Sequence, residues 1–330
     1  MEKIKDIAKE FVLVRLARID SIDLNHFEFD LDVTMMIFFL DAEGKIYSRY
    51  GGRDSENADN RQSLDGLRYT MQSVLNMHAK NQPLFAEPKD REPIYTRSFG
   101  FKRGCMHCHN AKEKIYNRLW DQGKWKREMI WRYPPPDNLG LELDVDRGNI
   151  VKKVKETSPA AKAGIKTGDS VTLLNKIPVH SFGDAQYALD RAPETGTVNI
   201  TWQRAGQSMT AKLELPKHWR KTDITWRPSL YNQVPAMYMF GDNLSEAEKK
   251  KLGLSTKQTA FRLEDPVPLY AKKAGVLKND IVIGVDGEET NMRMYDFLRH
   301  VRRQYIVGDQ VSFNIIRNGK RVNVPVKLVR

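Results

Sequence analysis

Five consecutive residues, Cys105-Met106-His107-Cys108-His109, carry the side chains best suited to chemistry in this chain. They include both cysteines of the sequence, three positions apart, with a histidine directly after the second. Thiols and imidazoles set this close can ligate zinc or copper, close a local disulfide, or bond covalently to a cofactor. On a helical turn residues i and i+3 share a side, so both sulfurs would face one bound group with the His109 imidazole beside them. A tetrahedral zinc site needs four well-placed ligands, which a single turn supplies with difficulty, so zinc would also recruit His78 or His26.

The C-x-x-C-H string resembles the attachment site of c-type cytochromes. The resemblance implies one covalent haem c, with Cys105 and Cys108 as its thioether anchors and His109 as the proximal ligand to iron. His78 is the first candidate for the distal position and Met77 a weaker one, with His26 and His107 also available. On that reading the protein is a monohaem electron-transfer or haem-sensing protein. A second reading is a non-haem adaptor in which Cys105, Cys108 and one or both adjacent histidines bind Zn or Cu, or the cysteines form a disulfide. A third is a peptide-binding scaffold whose motif has lost its cofactor.

The elements that must position this cluster are short. Residues 83–133 divide into an extended connector, marked by Pro83, Pro88, Pro93 and Gly100, and two helical stretches, Ala111–Gln122 and Lys124–Trp131, broken at Gly123. So small an insert cannot bury a haem alone. The N-terminal region would have to cover it, with Trp120, Trp125 or Tyr116 alongside, and Tyr133-Pro134-Pro135-Pro136 would follow as a stiff hinge.

In that N-terminal region Ile4, Ile7, Ala8 and Phe11 recur at helical spacing, and the branched run Phe11–Ile19 reads as a strand. Val33–Leu40 reads as a buried strand, paired with Lys45–Tyr50 through the turn Asp41-Ala42-Glu43-Gly44. Ser63–Lys80 reads as a helix with Leu64, Leu67, Met71, Val74, Leu75 and His78 on one face, which aims His78 inward. The stretch resembles the second half of a thioredoxin-like domain, with a D-x-x-G hairpin turn and an aromatic-glycine ending. It lacks that family's C-x-x-C before the first helix, and Val33 stands where the family has a cis-proline. The resemblance therefore implies a scaffold and not a thiol oxidoreductase.

From Asn138 onward the sequence repeats. Leu139-Gly140-Leu141 and the string Ser158 to Asp169 recur as Leu252-Gly253-Leu254 and Ala271 to Val282, and each copy ends in a hairpin, near Ala205-Gly206 and at Asn318-Gly319. Both copies resemble PDZ domains of the kind attached to bacterial envelope proteases. That resemblance implies peptide or protein C-termini as partners, bound by a loop of backbone N–H groups and added as a strand. By the same resemblance the loop is Leu139, Gly140 and Leu141 in one copy and Leu252, Gly253 and Leu254 in the other. Glu264-Asp265-Pro266-Val267-Pro268 departs from the pattern in the second copy.

The expected fold class is α+β and multidomain: a thioredoxin-like α/β segment at 1–82, the helical C-x-x-C-H insert at 83–133, two PDZ-like β-barrel or sandwich domains at 134–216 and 251–330, and an interdomain arm at 217–250. The arrangement as a whole resembles an exported bacterial family joining these parts. The chain has 330 residues and a formal net charge of +12. Half of that excess lies between Phe101 and Arg132, where nine bases face three acids. Such a patch is a solvated surface or a steering surface for an acidic redox partner or an anionic membrane surface. No recognised nucleic-acid-binding motif accompanies the charge, and no apolar run is long enough to span a bilayer. No Ser/His/Asp nucleophile signature is evident, so protease catalysis is not expected and a non-enzymatic role is favoured, while an open sixth position on a haem iron would permit peroxidase or gas-sensing chemistry. Haem attachment implies a periplasmic or otherwise exported location and a leader outside this numbering.

Overall fold

In a computed structural model, residues 2–16, 19, 22–80, 92–99 and 106–330 are described, and they divide into two compact units, Met1–Thr222 and Asp223–Arg330. Both units are mixed α and β. The expected boundaries at 82/83 and 133/134 fall inside the first unit.

The first unit opens with α1 (Glu2–Ala8), then the antiparallel pair β1 (Met36–Leu40) and β2 (Ile46–Gly51), then α2 (Leu64–Ala79). Asp41 accepts the Lys45 N–H at 2.7 Å and Gly44 takes φ +82°, so the hairpin turn forms as its residues dictate. Ser63 caps α2 by accepting the Gly66 N–H. Ile7, Phe39, Tyr50, Met71 and Val74 close a small core between these elements.

Three expectations for this region are corrected. Residues 11–16 lie in no strand, and Val12, Leu13 and Val14 are exposed, because a strand needs a neighbour and among the described residues β1 pairs only with β2. Of β1 only Phe39 is buried. The buried positions of α2 are Gly66, Thr70, Met71, Val74 and Met77, so the inward stripe ends on Met77 and His78 turns out to solvent. A four-element arrangement with a two-stranded sheet is what stands here; the thioredoxin-like assignment is unsupported.

Then come α3 (Cys108–Asp121), a 3-10 turn at Arg127–Trp131, and the first repeat: β3 (Leu141–Leu143), β4 (Val151–Val154), α4 (Pro159–Lys162), β5 (Ser170–Leu174), β6 (Ile177–Pro178), α5 (Phe182–Asp190), β7 (Gly196–Arg204) and β8 (Gln207–Leu215). Among the described residues its strands form a four-stranded sheet in the order β6-β5-β7-β8 and a separate β3-β4 pair. No closed barrel is present among the described residues. Its core gathers Leu139, Leu141, Val171, Leu189, Ile200, Trp202 and Leu213. The Tyr133–Pro136 run is packed and not a hinge: Tyr133 is buried, and its N–H donates to Asp190 while its carbonyl accepts from Gln186.

The second unit contains β9 (Phe240–Asn243), α6 (Glu246–Lys251), β10 (Phe261–Glu264), α7 (Leu269–Lys273), β11 (Ile281–Val285), β12 (Glu288–Glu289), α8 (Met294–Gln304), β13 (Gln310–Arg317) and β14 (Lys320–Lys327). Its sheet runs β14-β13-β11-β10-β9, with β12 attached to β11, around Phe261, Phe297 and Phe313. The two repeats share one local device. Asp169 receives two bonds from Arg204, both at 2.7 Å, and Asp280 receives two from Arg317, at 2.8 and 2.7 Å. Each carboxylate also accepts a loop N–H three residues earlier, from Lys166 and Leu277.

Candidate functional site

The cysteine cluster can be followed only in part. Cys105 lies outside the described residues, whereas Cys108 and His109 begin α3, behind the helix cap His107. Cys108 is half-buried against Leu24, Leu31, Met106 and Ala111, and burial pushes its thiol above the ordinary value, which keeps it protonated. The His107 and His109 rings stack with centroids 5.6 Å apart. His78 accepts or donates at Nδ1 to the Tyr47 hydroxyl, 2.8 Å away, and His26 Nε2 lies 2.9 Å from the Gly44 carbonyl oxygen. Met77 is buried. Among the described residues no three His, Cys, Asp or Glu side chains come together as a metal site. The Trp120 and Trp125 rings lie against each other, tilted by 53° with centroids 4.9 Å apart and Trp120 largely exposed, and the Tyr116 hydroxyl donates to the Met129 carbonyl.

The basic stretch around this motif is partly spent inside the fold. Lys112 is buried and pairs with Asp32 at 2.7 Å and Asp30 at 3.4 Å, both carboxylates being buried too. Arg132 pairs with Asp190 at 2.5 Å, which holds the Asp190 carboxyl below its usual range against the upward push of burial. These bases neutralise internal acids, so the steering surface for an acidic redox partner is not supported.

The loop residues of the first repeat are built in. Leu139 and Leu141 are buried, and the Gly140 N–H donates to the Asp137 carbonyl. Gly140 sits at φ +86°, and a Cβ there would fall 2.1 Å from the Ser158 hydroxyl oxygen, so both backbone and space require glycine.

The groove that such a repeat would offer, between β3 and α5, is taken by the chain's own N-terminal hairpin. Asp184, at the start of α5, accepts the Ser48 hydroxyl at 2.6 Å and the Arg49 N–H at 2.8 Å, both from β2. The Ser181 hydroxyl donates to the Arg49 carbonyl. Arg49 stacks on Tyr187 at 3.4 Å, and Arg191 lies 3.5 Å from the same ring. Gly183 permits the approach, since a Cβ would lie 2.8 Å from the Arg49 carbonyl oxygen. At the loop between β3 and β4, the Ser63 hydroxyl donates to Asp146 and the Tyr69 hydroxyl to Asn149. With Ala185, Tyr187, Ala188 and Leu189 in the repeat's own core and Gln186 bonded to the Tyr133 carbonyl, residues 182–189 of α5 are all buried.

The second repeat is different. Leu252-Gly253-Leu254 follows α6, with Gly253 closing that helix at φ +69° and Leu254 packed on Leu244, Ala260 and Ile281. These residues do not lead into the strand beside β10. Register identifies the true counterpart. Leu141 opposes Val154, four residues before the cap Ser158, and Phe240 opposes Glu264, four residues before the cap Pro268. Residues 238–240 therefore take the place of 139–141, and matching the two Leu-Gly-Leu strings overlooks the α6 insertion. The aromatic-glycine pair Phe240-Gly241 is the signal that could have marked it. Here β9 is the outer strand of its sheet, Phe240 is half exposed, and α8 keeps only Met294, Phe297, Leu298 and Val301 buried.

Comparison with known proteins fits the repeats. Residues 138–215 match the PDZ domain family, so the first repeat is a PDZ domain. The periplasmic pH-dependent serine endoprotease DegQ of Escherichia coli is 29% identical over 186 residues, which cover 55% of this chain and 38% of that protein. The periplasmic serine endoprotease DegP of Salmonella typhimurium is 29% identical over 44% of this chain and 28% of its own length. The serine protease Do-like HtrA of Lactococcus lactis is 39% identical over 33% of this chain and 29% of its own. A solved serine endoprotease from Yersinia pestis matches 23% of this chain and 27% of its own, at 27% identity and a TM-score of 0.21. The chain thus spans well under half the length of these curated relatives. The monohaem cytochrome reading is corrected by these matches. It rested on five residues, whereas similarity extending over as many as 186 points to serine endoproteases and not to a cytochrome.

Proposed function

We propose that this protein recruits polypeptide in the bacterial envelope, using PDZ modules related to those of the periplasmic endoproteases. The second repeat is read as a second PDZ domain at 251–330, extended upstream to include β9. Its partner is an extended peptide or protein C-terminus lying between β9 and α8, where backbone groups on the strand edge meet a helix flank. One observation carries the reading: residues 182–189 of that helix are buried in the first repeat, against its own core, Tyr133 and the N-terminal hairpin, whereas the corresponding helix keeps an exposed flank in the second. The first PDZ domain then acts as the seat of the N-terminal segment, and binding falls to the second unit. A periplasmic location is inferred from the relatives, and no helix among the described residues is long and apolar enough to cross a membrane.

The test is titration of the full chain with fluorescent extended peptides ending in a free carboxylate. Ladder bonds alternate from the Leu244 N–H to Ala260 carbonyl bond, so the N–H groups of Gly241 and Asn243 face the open edge; Asn243→Pro removes one of them and should abolish the anisotropy change. Unaltered binding by that variant, with its fold verified by circular dichroism, would place the peptide elsewhere.

A further inference from the structure

The flank of α8 left open in the second unit forms one wall of a cavity of about 890 Å³. Its opposite wall comprises the end of β9 at Asn243 and the start of α6. Five cationic side chains line it, Lys249, Lys257, Arg293, Arg299 and Arg303, together with the His300 imidazole, which burial holds below its ordinary value and so toward the neutral form. Two acids, Glu246 and Asp296, are their only opponents in the lining. The internal neutralisation is slight. Asp296 pairs with Arg299 at 3.5 Å between two mostly exposed side chains, which solvent screens strongly. Arg303 pairs with Asp223 at 2.8 Å, and the Lys249 ammonium donates to the Thr256 carbonyl. Lys257 and Arg293 form no ion pair among the described residues.

Residues 293, 296, 300 and 303 follow one face of α8 at steps of three and four, so Arg293 and Arg303 mark the two ends of a stripe that also carries Asp296 and His300. Lys249 and Lys257 stand on the other elements of the lining, so a peptide in the cavity would meet cations from more than one side. Asn243 closes one end, where its side-chain oxygen accepts the Met294 N–H at 2.8 Å.

From this we infer that the second unit selects acidic polypeptide: an extended segment rich in Asp and Glu, seated between β9, α6 and α8. The inference rests on the peptide-binding reading and names the class of its partner. A chain of carboxylates spaced two residues apart on one face of a strand matches the bases across the cavity, and the carboxylate oxygens accept from guanidinium groups in pairs. A basic segment meets like charge on both walls.

The experiment uses the full chain and three fluorescein-labelled peptides of equal length with free C-termini, alternating Val with Glu, Ser or Lys. The Glu peptide should bind at least about tenfold more tightly than the Ser peptide near 0.1 M salt and weaken steeply as salt rises. The Lys peptide should show no saturable binding. Reversing Lys257, Arg293 and Arg299 to Glu should cost the Glu peptide about tenfold or more and leave the Ser peptide unchanged. Lys273→Glu, an exposed base outside the cavity, should change neither. Equal affinity for all three peptides would overturn the inference while leaving peptide recruitment standing. No binding of any peptide would overturn both. Displacement of the Glu peptide by a DNA oligonucleotide at equal charge concentration would also overturn the inference, since the surface would then read charge alone.

Discussion

Replacing Asp184 by alanine tests whether the N-terminal hairpin and the first PDZ domain form one folding unit. The carboxylate is buried and accepts from the Ser48 hydroxyl, the Arg49 N–H and the His180 N–H. Its loss strands a buried backbone donor and a buried hydroxyl, each costing about 1–3 kcal/mol when left unpaired. Burial also drives the Asp184 carboxyl above its ordinary range, with His180 and the Ser48 hydroxyl pulling the other way, so part of that cost is returned when the charge is deleted. The net expected loss is about 3 kcal/mol. With a urea slope of about 2 kcal/mol/M this lowers the denaturation midpoint of the first unit by about 1.5 M. The assay is urea unfolding followed by tryptophan fluorescence and by circular dichroism. The exposed Glu214→Ala serves as the control, with an expected change within about 0.5 kcal/mol. A shift for Asp184→Ala no larger than that of the control would refute the claim that this carboxylate ties β2 to α5.

The pH dependence of the same site has a defined sign. A carboxyl raised in the fold contributes stability that is complete below its ordinary range and is lost as pH rises through its folded value. The penalty of Asp184→Asn should therefore be larger near pH 4 than at pH 7, measured as midpoint differences. Asp169 behaves oppositely: burial pushes it up, but the bonds from Arg204 and the Lys166 N–H hold it below the usual range. Its contribution is present above that range and lost as pH falls, so Asp169→Asn should flatten the acid limb of the stability profile. Lys112→Met leaves Asp30 and Asp32 without their shared cation and should cost about 3–5 kcal/mol in the first unit, read by urea unfolding. Calorimetric titration with a tight-binding peptide should give one site per chain, because α5 is already covered; two equivalent sites would contradict that burial.

Much of the architecture was readable because it is written in short range. The Asp41–Gly44 turn, the Ser63 cap and the Asn318-Gly319 hairpin depend on residues a few positions apart, and the sequence alone determined them. The repeat was equally plain, since each copy needs its own loop carboxylate, Asp169 or Asp280, and its own glycine after a short helix. Long-range choices were not readable. Whether Phe11–Ile19 becomes a strand depends on a partner that local propensity does not supply. Whether His78 or Met77 faces inward depends on a shift of one position in the α2 stripe. The matching Leu-Gly-Leu strings concealed that α6 intervenes between strand and helix in the second repeat. Most of all, only the tertiary structure decided which groove is open. Composition gives α5 no mark of burial on every side; that follows from the repeat's own core and Tyr133, together with Ser48, Arg49 and Asp184 meeting across more than a hundred residues of chain.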